Sequence, residues 1–308
     1  MKRFEGIFAV MLTAYDDYGN IDREAMREMT EYLVESGVHG LVVLGSNGEN
    51  PYLTHHHQKD AIDTVVNACE GRVPVIVGVN KRGTEPAVDM STYAEEAGAD
   101  GILLALHRFY DLDEDAVFSF YEEVCGSIGL PVLFYNFPSN TGLALPPESI
   151  ARLALIDNLV GAKETIFEVD EVRRLVEATD DDFCVFTGMT FNLAETMAVG
   201  ACGAICPLPN FIPRVTLDLY EACRSGDGDR VAELQKAVYA LAPLLASTPT
   251  PHAMQKEALR LLGHPVKPHV KGPLPRLTSD QARLVRETLE NAGLMGSAPD
   301  MGHSRRDP

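Results

Sequence analysis

Eight short runs of uninterrupted apolar residues, most of them followed by an amphipathic stretch, leave this 308-residue chain very few folds. The runs fall at residues 7–13, 40–45, 74–79, 101–106, 131–136, 159–163, 183–188 and 201–207. None alternates apolar with polar residues, so each reads as a strand covered on both faces, the pattern of a parallel sheet. Between them, Ala25, Met26, Met29, Leu33 and Val34 recur near a 3.6-residue period within 23–36, and 86–97, 113–127, 147–154 and 170–179 behave alike. Thr54 and Asp113 suit helix N-caps, and Pro147 suits a first helical turn. No Gly-x-Gly-x-x-Gly follows the first strand, which argues against a doubly wound sheet. The prediction is an α/β chain folded as a closed (β/α)8 TIM barrel.

After the eighth run the chain stays helical over 215–223, 230–245, 252–262 and 279–291. The expected organisation is a barrel over residues 1–225, a C-terminal helical extension of the same domain over 226–294, and a flexible tail over 295–308.

A formal charge of −19 speaks against nucleic acid and anionic membrane as partners, since both require a basic face. It suits a self-repelling surface or adaptation to high salt, and still permits a locally positive pocket. Apolar stretches reach only about 8 residues, far short of the roughly 20 that span a bilayer. Met1-Lys2-Arg3 leads into the first strand without a signal-like apolar region, so a cytoplasmic location is expected. The six cysteines contain no Cys-x-x-Cys pair and read as small core residues in a reducing compartment. His55, His56 and His57 are adjacent rather than spaced i,i+4, so no metal site is expected there.

Lys163, ending the sixth run in Leu159-Val160-Gly161-Ala162-Lys163-Glu164, is the residue most in need of a reason. Lysine is scarce, 8 against 18 arginines, and a lysine at the tip of a buried strand is unfavourable without a partner or a chemical task. Glu49 and Glu164 are the carboxylates with which a merely structural Lys163 would pair. The C-terminal ends of barrel strands share one site. Those ends supply Thr13, the Gly45-Ser46-Asn47-Gly48-Glu49 turn, Asn80-Lys81-Arg82, His107-Arg108-Phe109-Tyr110, Tyr135-Asn136, Lys163, Gly188-Met189-Thr190 and Ile205-Cys206. A lysine withdrawn from water yields its neutral amine more readily, and that amine attacks carbonyls. Tyr135 ends the neighbouring strand and can carry protons. The backbone N–H groups and hydroxyl of the Gly45–Gly48 turn suit a carboxylate. Together these residues point to Schiff-base chemistry on a carbonyl compound, with a turn that could hold a carboxylate.

The same residues resemble those of the dihydrodipicolinate synthase / N-acetylneuraminate lyase family of class I pyruvate-type aldolases, over about residues 4–292. The G-x-T-G-E turn is similar to Gly45-Ser46-Asn47-Gly48-Glu49, and Y-N-x-P-x-x-T-G is complete at Tyr135-Asn136-Phe137-Pro138-Ser139-Asn140-Thr141-Gly142. The G-x-K-(D/E) strand end is Gly161-Ala162-Lys163-Glu164, and a G-A-x-G-x-I-like stretch lies at Gly200–Ile205. The resemblance implies a barrel with C-terminal helices, a homotetramer built as a dimer of dimers (or a homodimer), and no cofactor. It implies an imine on Lys163, acid/base work by Tyr135, carboxylate binding by Ser46 and Asn47, and a pocket lined near Gly188, Thr190 and Ile205.

Three departures bear on substrate. Asn140 stands where the synthases carry Arg, and an amide has neither the charge nor the fork of a guanidinium. Asn47 replaces a second threonine and cannot relay a proton as a hydroxyl does. His107-Arg108-Phe109 replaces Pro-Tyr-Tyr, leaving Tyr110 one residue beyond the position of the relay tyrosine. Arg108, Lys81, Arg82 and Asn140 instead suit a hydroxylated, anionic chain. The expected activity is a carbon–carbon lyase that releases pyruvate from a 2-keto-3-deoxy sugar acid. The alternatives are 4-hydroxy-tetrahydrodipicolinate synthase, a keto-deoxy sugar acid dehydratase, and a non-catalytic 2-oxo acid binding protein.

Overall fold

All eight apolar runs form strands, and pairing of β1 (Gly6–Val10) with β8 (Gly203–Cys206) closes them into a parallel barrel in chain order. The computed structural model describes residues 4–295, so all of the expected tail except Met295 lies outside the described residues. Between the closing pair lie β2 (Gly40–Val43), β3 (Val75–Lys81), β4 (Gly101–Leu106), β5 (Val132–Asn136), β6 (Leu159–Glu164) and β7 (Cys184–Thr187). Several strands stop short of their apolar runs because the chain turns away into the loops; Leu44, for instance, has a left-handed φ of 60°. A (β/α)8 barrel is thus the fold that the sequence predicts.

The helices are α1 (Arg23–Glu35), α2 (His55–Cys69), α3 (Thr84–Glu96), α4 (Glu114–Gly126), α5 (Pro138–Thr141), α6 (Pro147–Leu153), α7 (Val169–Ala178), α8 (Leu193–Ala198) and α9 (Pro213–Ser225). Thr54 and Asp113 do cap α2 and α4, accepting from the His57 and Ala116 amides, and Pro147 opens α6. The chain continues through α10 (Gly228–Ala240), α11 (Ala242–Ala246), α12 (His252–Leu261) and α13 (Ser279–Asn291). The single helix expected over 230–245 is broken at Leu241. Pro243 explains the break: it lacks the N–H that a continuous helix needs there, and its ring clashes with the preceding turn.

Side chains alternate between two cores. Phe4, Phe8, Val10, Val42, Ile76, Leu103, Leu133, Phe186 and Ile205 fill the barrel, while a larger cluster lies between the strands and the helices. Phe8 meets Phe4 and Phe186 edge-on at 5.8 and 5.6 Å between ring centroids, so the barrel floor is solid. Truncating such a ring to alanine costs about 3–5 kcal/mol. At the opposite end, register places Tyr135 opposite Lys163 and Lys163 opposite Phe186, all facing inward. One step further along, Asn136, Glu164 and Thr187 face outward.

Among the described residues no helix is long and apolar enough to cross a membrane, and no group of three or more His, Cys, Asp or Glu could hold a metal ion. His55 and His56 instead face Asp89 and Asp60, at 3.4 and 3.6 Å.

Candidate active site

Lys163 and Tyr135 meet at the barrel mouth. The lysine is 3% exposed and the tyrosine 4%. Nζ donates to the Tyr135 hydroxyl at 3.4 Å and lies 4.4 Å from the ring centroid, so hydroxyl and π-face together receive the amine. Ser46 Oγ is 3.1 Å from the same hydroxyl. A continuous polar chain, Ser46–Tyr135–Lys163, therefore runs from β2 to β6. Neither carboxylate that a structural lysine would choose is its partner. Glu49 pairs with Lys256, and Glu164 points out of the barrel and accepts from Asn136 Nδ2 at 2.8 Å.

Gly188 is shaped by this pair. A Cβ there would lie 2.8 Å from Lys163 Cε and 2.1 Å from Thr165 Oγ1, so only glycine leaves the lysine side chain its path.

The Ser46–Gly48 turn is a single 3-10 turn ending at Glu49, whose φ of 60° is left-handed. Thr13 Oγ1 donates to Gly48 O at 2.7 Å from the β1 side. From the other side α12 grips it. His252 Nε2 faces Ser46 O at 3.2 Å, which requires the Nε2–H tautomer, and burial holds that imidazole below its usual range. Asn47 Nδ2 donates to Gln255 Oε1 at 2.8 Å. Lys256 Nζ, wholly buried, pairs with Glu49 Oε1, and the Lys271 amide donates to Glu49 Oε2 at 2.7 Å.

The remaining predicted residues are placed less centrally. Ile205 is fully buried among the inward-facing core side chains. Arg108 pairs with Asp111 at 3.4 Å, and its amide donates to Thr141 O at 2.9 Å, which brings its loop against the 140–142 segment. Asn140 is exposed there, accepting only from Ser139 Oγ among the described contacts. Lys81 is half-buried, donates to Gln58 Oε1 at 2.8 Å and is lowered by that burial; Arg82 is exposed. Tyr110 is 75% exposed and packs edge-on against Phe109. The side chain of Thr190 lies outside the described residues.

His252, Gln255 and Lys256 escape a reading of the sequence. Their spacing puts them on one face of α12, which is legible, but their partners are 206 to 208 residues away. Nothing in a helical period reports a contact at that range.

A closed parallel barrel with a lysine and a tyrosine paired at its mouth defines a class, the class I lyases and aldolases, which hold a carbonyl substrate as a lysine Schiff base and use no external cofactor. Within that class the chain belongs to the Dihydrodipicolinate synthetase family, whose sequence model matches residues 3–292. It is 35% identical to the 4-hydroxy-tetrahydrodipicolinate synthase of Methanopyrus kandleri, over 95% of this chain and 98% of that one. It is 33% identical to the probable 2-dehydro-3-deoxy-D-pentonate aldolase YjhH of Escherichia coli K12, over 96% and 99%. Among solved structures it resembles YagE of E. coli K12, a prophage protein of the dihydrodipicolinic acid synthase family in complex with pyruvate. The TM-score is 0.91 at 29% identity, covering 94% of this chain and 99% of YagE.

Proposed function

We propose that the protein cleaves a 2-keto-3-deoxy sugar acid to pyruvate and an aldehyde through an imine on Lys163. The observation that carries this reading is the Ser46–Tyr135–Lys163 chain, with contacts of 3.1 and 3.4 Å. The neutral Lys163 amine adds to the C2 carbonyl, and Tyr135 supplies the proton with which the carbinolamine expels water. The protonated imine then withdraws electrons as the C3–C4 bond breaks, and Tyr135 accepts the proton of the C4 hydroxyl. Protonation of the resulting enamine at C3 and hydrolysis of the imine release pyruvate and restore the lysine. Ser46 and Asn47 bind the substrate carboxylate, with Gly188 and the backbone near Ile205 lining its other side. Arg108 and Asn140, on loops that touch, serve the distal hydroxylated end, with Thr190, Lys81 and Arg82 as further contacts.

The names of the relatives favour a second reading, 4-hydroxy-tetrahydrodipicolinate synthase, over the aldolase. Against it stand Asn140 in place of a guanidinium and the Asn47 amide, which is engaged with Gln255 and relays no proton. A substrate panel separates the two. Pyruvate release from keto-deoxy acids of five and six carbons is expected to exceed condensation of pyruvate with aspartate semialdehyde. The opposite ranking would replace the lyase reading by the synthase.

Association of copies is also proposed, as a homodimer or homotetramer. Phe109 and Tyr110, 74% and 75% exposed and packed edge-on against each other, offer an apolar surface that supports it. Light scattering that returns the mass of one chain would refute it.

A further inference from the structure

We propose that Lys256, a residue of the C-terminal helices that touches no reacting atom, is a positioning residue that holds the Ser46–Asn47 turn in the geometry that binds the substrate carboxylate. The inference rests on the reading of Lys163 and Ser46 given above. Lys256 and Glu49 form an ion pair with both side chains 0% exposed. The ammonium also donates to His269 O at 2.7 Å and lies 4.2 Å from the centre of the Tyr15 ring, so each of its faces is engaged. Burial pulls the Lys256 ammonium below its usual range, and Glu49 opposes that pull.

A buried ion pair is by itself poor support for stability, because desolvation offsets much of the attraction. Its location is the informative part. Glu49 is a non-glycine residue at φ 60°. Such a backbone persists only where the surroundings over-determine it. Both carboxylate oxygens are fixed, one by Lys256 and the other by the Lys271 amide. The Glu49 amide in turn donates to Ser46 O at 3.1 Å, the same carbonyl that faces His252. Release of Glu49 therefore loosens Ser46, whose hydroxyl stands 3.1 Å from Tyr135. The path from Lys256 to the reacting amine is Glu49, Ser46, Tyr135, Lys163, every link a hydrogen bond.

The test traps the imine. Wild-type protein, Lys256→Met and Lys256→Met/Glu49→Gln are each incubated with a pyruvate series and reduced with borohydride. The adduct on Lys163 is quantified by peptide mass, beside a thermal melt of each protein. The double variant leaves no lone buried charge and is the informative one. It is expected to melt as a folded protein and to reach the wild-type extent of adduct only at about tenfold more pyruvate or higher. A lowered melting temperature with unchanged half-saturation would make Lys256 a stability residue and overturn the proposal. Failure of both variants to fold would overturn it in the same way. Absence of an adduct on Lys163 in the wild type would instead sink the proposed function, so the two failures are distinguishable.

Discussion

Lys163 is tolerated in the barrel because three neighbours make room for it: Tyr135 takes its amino group on hydroxyl and ring, Gly188 yields it space, and the outward turn of Glu164 denies it a permanent counter-ion. A lysine locked in a salt bridge would be a poor nucleophile. Lys163→Ala is expected to lower turnover by about 10³-fold or more while a noncovalent 2-oxo acid still binds; turnover within tenfold of wild type would remove the lysine from the chemistry. Tyr135→Phe keeps the ring beneath the amine and removes the hydroxyl. It is expected to lose about 10²–10⁴-fold in kcat with a much smaller change in KM. Gly188→Ala, whose methyl would crowd Lys163 Cε at 2.8 Å, is expected to slow adduct formation with pyruvate without unfolding the protein. An adduct rate equal to wild type would mean that the strand end shifts to absorb it. Lys163 and Tyr135 are legible in the sequence because each ends an apolar run. The partners of Glu49 are not, because Lys256 lies 207 residues further along the chain and no local pattern reports that contact.

At the scale of elements, β5 and β6 carry one polar pair on each face at adjacent register positions. Tyr135 and Lys163 face in, and Asn136 and Glu164 face out, so the outer hydrogen bond fixes the register on which the inner pair depends. Burial raises the Glu164 carboxyl from the ordinary range near 4.5 to about 7. An acid raised on folding leaves stability unpenalised below about pH 4.5, and the penalty grows as pH rises through about 7, to on the order of 3 kcal/mol. Glu164→Gln retains an acceptor for Asn136 and removes the ionisation. Denaturant titrations are therefore expected to show the variant gaining on wild type from pH 5 to pH 8; an equal difference at both pH values would contradict this account. The strands are legible from their continuous apolar character, which a parallel barrel covered on both faces imposes. Elements whose signal is short or masked are less so: α8 spans only 6 residues, and α2 is announced only by its Thr54 cap because the histidine triplet hides its apolar face. The break before Pro243 follows from local chemistry that a smooth 3.6-residue period conceals.

For the molecule as a whole, −19 formal charges act on a surface where several arginines are already paired, as Arg72 with Glu31 and Arg174 with Glu148 and Glu171. Salt weakens both the general repulsion and these exposed pairs, and the pairs are worth little individually. Repulsion therefore governs the sign: the melting temperature is expected to rise by roughly 3 °C or more between 0.1 and 1 M KCl. A fall in scanning calorimetry would show that the ion pairs dominate. The barrel was readable from continuous apolar runs and helical periods, whereas the placement of loop side chains such as Arg108 and Asn140 was not, since no pattern fixes it. The hold of α12 on the Ser46–Glu49 turn spans 206 to 208 residues. A nascent polypeptide that has completed its eighth strand thus contains Lys163 and Tyr135 but still lacks the α12 residues that brace the Ser46–Glu49 turn. That brace is therefore available only to a chain extended through α12, however early the barrel strands are made.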